Sequence, residues 1–285
     1  MSVVFSLLSS VSWGTSDFFG GLLSRRLPPL TVVLVSQLCG GIAVLLVALG
    51  LAQPLPADAW LPLAGGAVGA FGLLFFYSGL AFGTMSIVAP IAACGAVVPV
   101  AFSIVIGQVP RPLVMVGLAA ALVGVVMASL GTGVENAGAA NRRPRRAVAA
   151  ALGAALCFGI FLLCLGRASA ASPHSAVWLA AAARGGSVPI LLVLSLVRRV
   201  PLAGRGVRLR DLGGMAAIGL GDVTANTLFA LATSAGSLAV ASVLGSLYPI
   251  ITVLLARLVL KERVGRVQGT GAALALLGVV LVSSG

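Results

Sequence analysis

Ten apolar runs of about 20 residues each fill most of the chain. They lie near 3–23, 30–51, 60–82, 86–107, 112–130, 147–167, 175–197, 211–233, 237–260 and 264–283. As a helix, such a run rises about 30 Å, the thickness of a bilayer's hydrocarbon layer. Lipid offers the backbone no hydrogen bonds, so only helices and closed barrels can span it. Barrel strands alternate in polarity over about ten residues. These runs are twice that length and do not alternate. Only 8% of residues are charged and 60% are hydrophobic, too little polar surface for a chain surrounded by water. The expected fold is all-α, a polytopic membrane protein of ten transmembrane helices.

The formal net charge of +12 suggests nucleic acid as a partner, but the placement of the charges excludes it. The basic residues sit in short gaps between apolar runs, as the positive-inside bias of membrane proteins requires. Loops after the odd-numbered runs hold 14 Lys and Arg, the others only Arg111 and Arg167. That asymmetry places the odd loops in the cytoplasm and both termini outside. The first run lacks a basic leader and holds Trp13 and Asp17, so it reads as a retained helix rather than a signal peptide. Cys39, Cys94, Cys157 and Cys164 lie inside apolar runs without a CxxC pair and read as packing residues. The expected setting is the bilayer of a bacterial cell (inner) membrane.

The chain repeats itself. Residues 117–131 read GLAAALVGVVMASLG and 271–285 read GAALALLGVVLVSSG, identical at nine of fifteen positions at an offset of 154. At an offset of 150, Gly69, Ala89, Gly95 and Pro99 meet Gly219, Ala239, Gly245 and Pro249. At 145, Pro28 meets Pro173, and Gly40-Gly41 meets Gly185-Gly186. The step from 150 to 154 is about one helical turn, so the fourth helix should be a turn shorter than the ninth. Each half holds five helices, and an odd number makes the second half enter the membrane from the opposite side. The expected organisation is a first repeat at 1–130, a polar basic linker at 131–146 and a second repeat at 147–285. Inverted repeats of this kind are common in secondary transporters, with the solute site near the midplane between halves.

The stretch 239–283 carries a helix with a mid-span Pro249, then Glu262, then a Gly-rich last helix with Gly271 and Gly278. The first half has Pro99, Gly117 and Gly124, with Gln108 where the second half has Glu262, and Trp13-Gly14 stands near the start. This pattern resembles the EamA-like transporters of the drug/metabolite transporter superfamily. The resemblance implies a secondary carrier for small solutes, often an exporter of amino acids or related metabolites. Gln108 in place of an acid argues against a symmetric role for Glu262.

Charges within the membrane are costly and are therefore functional candidates. Three stand at the centres of runs: Asp17, Arg184 and Asp222. Ser2, Ser6, Ser9, Trp13, Asp17 and Gly20 recur every three or four residues, one helix face that should line the interior. Asp222 shares a face with Asn226 and Gly219, and Arg184 with Ser187. None of the three charges has a charged repeat mate, so the site is asymmetric. In one reading an Asp takes a coupling proton while Arg184 meets a solute carboxylate. Burial disfavours a charged carboxyl and a guanidinium favours it, an opposition a proton-coupled carrier uses. In the other, Arg184 pairs permanently with Asp17 or Asp222 and fixes packing. Trp13, Gln37, Tyr77 and Tyr248 complete the candidate substrate-binding set, by stacking or hydrogen bonding. Pro90, Pro99 and Pro249 fall within helices and are candidate hinges.

Gly219-Leu220-Gly221-Asp222 spells GLGD, which resembles the signature of intramembrane aspartyl proteases, with Asp17 as the required second acid. A non-transporting membrane scaffold is the other alternative. No HExxH, GxSxG or P-loop string occurs, so no catalytic residue, metal or cofactor is expected. The partners expected are a small-molecule solute, the lipid bilayer and protons as coupling ion.

Overall fold

A computed structural model describes residues 1–51, 53–56, 58–83, 85–108, 111–130, 144–200, 207–261 and 266–284. The described residues form twelve α-helices and no strand. The first half contains α1 (Ser2–Ser24), α2 (Pro29–Gly50), α3 (Trp60–Phe82), α4 (Met85–Ala93), α5 (Val97–Val105) and α6 (Pro112–Leu130). The second contains α7 (Pro144–Ala171), α8 (Ala176–Val197), α9 (Leu209–Ser234), α10 (Leu238–Gly245), α11 (Tyr248–Leu260) and α12 (Arg266–Ser284). Seven stretches are long and apolar enough to cross a bilayer, counting Val88–Val105 and Leu238–Leu260 as one each. The chain is an integral, multi-pass membrane protein. Helix α1 matches them in length, but its serines and Asp17 make it more polar.

Two runs expected as continuous helices are broken. A 3-10 turn at Cys94–Ala96 separates α4 from α5, and Ser246-Leu247 separates α10 from α11. Pro99 is therefore the third residue of α5 and Pro249 the second of α11. A proline is tolerated in a first turn because its missing N–H would be unpaired there anyway. These two prolines start half-helices rather than kink whole ones, and only Pro90 of the three candidate hinges lies inside a helix. Helix α8 carries an interior proline the sequence reading did not single out, Pro189. Helix α11 has 13 residues and α5 has 9, so the expected turn of difference lies beyond the break.

Helix bounds and close contacts revise the repeat register. Gly14 of α1 faces the Tyr248 carbonyl, and Gly159 of α7 faces the Gly95 carbonyl, each at 2.5 Å from where a Cβ would sit. These contacts are mates at offsets of 145 and 153. Helices α2 and α8, both of 22 residues, match at 147. The offset of 150 read for the third and fourth helices is corrected to 153, and that of 145 for the second to 147. A three-residue slip is nearly one helical turn and leaves the same face inward, so face pattern alone does not detect it.

The contacts follow a two-fold exchange of halves: α3 packs on α7 as α9 packs on α1, α3 on α8 as α9 on α2, and α6 on α12. Helices α2 and α8 run antiparallel, with Gly41 against Arg184 and Val44 clustered with Ala180. Small residues allow the closest approaches, as between Gly40 and Gly219 and between Gly66 and Ala183. Of the expected linker, 131–143 lies outside the described residues, as does Glu262, while 144–146 already belongs to α7.

The two equivalent seams differ chemically. Along α1/α9, Ser2, Ser9 and Ser12 donate to the carbonyls of Ala232, Ala225 and Gly221 at 2.7–2.8 Å. Arg26, just beyond α1, pairs with Asp211 in the first turn of α9. Along α3/α7, Gly65, Gly72 and Gly83 lie against Cys164, Phe158 and Ala147, contacts of small and apolar groups. Interhelical hydrogen bonds in membranes average about 0.6 kcal/mol each. Ser9→Ala should cost about that much and the triple Ser2/Ser9/Ser12→Ala variant about 2 kcal/mol. Denaturant titration in bicelles reads this difference, and an unchanged triple variant would show the seam to be held by packing alone.

Candidate functional site

Gln37 of α2 and Arg184 of α8 are repeat mates at the offset of 147, and they meet where these helices cross. Arg184 donates through Nη1 to Gln37 Oε1 (2.8 Å) and through Nη2 to Asp222 Oδ2 of α9 (2.7 Å). Gln37 Nε2 donates to the same Asp222 oxygen (2.9 Å), and Ser187 Oγ donates to Gln37 Oε1 (2.9 Å). The amide orientation is consistent, with its oxygen facing two donors and its nitrogen facing the carboxylate. All four residues are buried, as a charged group in low dielectric requires partners. The network joins three helices from both halves.

Beside it lies a cavity enclosing about 610 Å³ of empty space, open solvent at its mouth included. Of the eight predicted solute-binding residues, Trp13, Asp17, Gln37, Arg184, Asp222, Asn226 and Tyr248 line it. Trp13 Nε1 donates to Asn226 Oδ1 at 3.1 Å, tying α1 to α9. Asp17 is 7% exposed and has no hydrogen bond or ion pair among the described residues. Arg184 takes Asp222 as its ion-pair partner, so the expected choice between the two acids falls on Asp222. The Tyr248 hydroxyl and Arg184 Nε are buried without a partner in the described residues. Tyr77 is the exception. It is buried with its ring against Gly20, on the α1 face that carries Asp17, and is not among the residues lining the cavity.

The family profile of EamA-like transporters matches residues 1–130 and 145–284, nearly the whole chain and in two blocks. The chain belongs to the EamA-like transporter family. That assignment is consistent with the drug/metabolite transporter superfamily and makes this a membrane transporter of small solutes. No curated protein matches this EamA-like chain. Among the solved structures, one described only as the crystal structure of a protein superposes with a TM-score of 0.74. It covers 99% of this chain and 96% of its own at 16% identity, a likeness of fold alone.

In this EamA-like transporter the sequence reading missed the apolar wall of the cavity: Gly69, Leu73, Phe158, Phe161 and Leu162. A signal for it existed. At offsets of 145 and 153, Trp13, Asp17, Asp222 and Asn226 map onto Phe158, Leu162, Gly69 and Leu73. Apolar residues in apolar helices carry no mark of their own until the register is known. Asp222 is committed to Arg184 and Gln37, whereas a protease dyad needs its two acids to share a proton. The transporter's described residues hold no cluster of His, Cys, Asp or Glu able to bind a metal.

Proposed function

We propose that this chain is a secondary active carrier that opens its central cavity alternately to the two sides of the membrane. Ten passes form two oppositely inserted halves, joined by a basic linker that ends where α7 begins at Pro144. The reading is supported by antiparallel repeat mates, Gln37 and Arg184, crossing beside the cavity. A two-fold axis there lets the halves rock about a central site. The solute is a small metabolite, an amino acid or a related amphipathic compound, moved outward in exchange for protons. The carboxyl of Asp17 takes the coupling proton. Asp222 and Arg184 face the same cavity as a paired unit, with Tyr248 on α11 and with Tyr77 packed on Gly20 of α1. The breaks before α5 and α11 act as hinges, with Pro90, Pro99 and Pro249 beside them.

The observation that carries the proposal is a buried carboxyl, without a hydrogen-bonding partner among the described residues, in a cavity at the crossing of the two halves. Its test is uptake of radiolabelled metabolites into proteoliposomes with and without a pH gradient. Asp17→Asn is expected to lower gradient-driven flux at least about tenfold, a loss of about 1.4 kcal/mol in driving interaction. Wild-type flux and unchanged gradient dependence in Asp17→Asn would remove the coupling role.

A further inference from the structure

The cavity is built from repeat mates, but the two halves do not contribute alike. The α1/α9 wall presents Trp13, Asp17, Asp222 and Asn226, and the α3/α7 wall presents their mates Phe158, Leu162, Gly69 and Leu73. One wall is polar and the opposite wall apolar. An occupant matching both is an amphipath with one polar end.

Charge decides the sign of that end. Arg184 and Asp222 neutralise each other at 2.7 Å, with Gln37 and Ser187 completing their hydrogen bonds. Asp17 is left over, buried and without a hydrogen-bonding partner among the described residues. With Asp17 ionised, the three central charges sum to −1, which a monocation cancels and a zwitterion does not. A zwitterion's carboxylate would find Arg184 Nε, on a guanidinium whose charge Asp222 already balances, and the neutral Tyr248 hydroxyl, but no uncompensated positive charge among the described residues. The indole of Trp13 lies four residues before Asp17 on the same helix face and adds a cation-binding ring.

We infer that the solute class of this cavity is a singly charged organic ammonium with an apolar body, its ammonium on Asp17 and its body along Leu73, Phe158, Phe161 and Leu162. The inference rests on the carrier reading and narrows it: the ammonium and the coupling proton compete for one carboxylate, so one leaves as the other enters.

The test is calorimetric titration of the full chain in lipid nanodiscs with three probes that share a phenylethyl body. Phenethylamine is the cation, phenethyl alcohol the neutral analogue and phenylalanine the zwitterion. The amine is expected to bind at least tenfold more tightly than either of the others. Asp17→Asn should bring the amine to within about twofold of the alcohol, and Asp17→Glu should retain the preference. The wild-type ratios need no variant, and a melting curve of each variant reports its fold. Phenylalanine binding more tightly than the amine, an amine preference surviving Asp17→Asn, or no amine binding to the wild type would each overturn the inference. If vesicles still exchange another metabolite after such a result, the carrier reading stands and only the cationic class is lost. If no metabolite is exchanged at all, the carrier reading itself fails.

Discussion

Replacing Arg184 by alanine is expected to destabilise the protein by about 3–5 kcal/mol, as breaking a buried ion pair from one side does. The loss has a specific origin. Asp222 would keep a buried charge with only Gln37 as donor, and Gln37 Oε1 would retain only the Ser187 hydroxyl. Two uncompensated carboxylates, Asp17 and Asp222, would then face one cavity. The double variant Arg184→Met/Asp222→Leu removes both charges and should recover most of the loss, because the pair's attraction roughly offsets its desolvation. Denaturant titration in bicelles measures both. A single variant within about 1 kcal/mol of wild type would mean that the network contributes little to joining α2, α8 and α9. If the double variant is stable but carries no solute, the pair shapes the cavity as well as holding it.

A methyl group at Gly66 or Gly219 should be nearly as damaging. A Cβ on Gly66 would collide with the carbonyl oxygen of Ala183, and one on Gly219 with that of Ser36. Backbone atoms cannot rotate away as a side chain can, so whole helices must separate. Overpacking typically costs about 1–3 kcal/mol, and a contact against backbone belongs at or above the top of that range. Gly66→Ala and Gly219→Ala are therefore expected to unfold or accumulate poorly. Gly213, on the same helix as Gly219, has open space where a Cβ would stand, with no atom within 4 Å. Gly213→Ala should be neutral or gain about 0.5–1 kcal/mol from helix propensity. Yield and melting temperature of the three variants compare them directly, and equal behaviour would remove the close-packing account of these crossings.

Much of the site was legible because charge and polarity are conspicuous in an apolar chain. Asp17, Arg184 and Asp222 were visible as membrane charges, and the serine stripe of α1 announced a buried face that the hydrogen bonds to α9 bear out. Tyr77 packs against α1 rather than lining the cavity, and an aromatic residue in a helix carries no sign of which of the two it faces. The breaks in the fourth and ninth runs were missed because hydropathy runs unbroken through 94–96 and 246–247, where Pro99 and Pro249 suggested kinks instead. The apolar wall stayed hidden behind a register misread by three residues.

By itself the sequence determined that this chain lies in a bilayer, repeats itself and carries a few charges that must face inward, since lipid tolerates neither unpaired backbone nor exposed charge. Tertiary structure alone decided which charges neutralise each other. Arg184 found Asp222 rather than Asp17 because α2, α8 and α9 converge at Gln37, a geometry set by close helix crossings such as that of Gly40 with Gly219. Pairing depends on distances between helices, and hydrophobic periodicity records only which face of each helix turns inward.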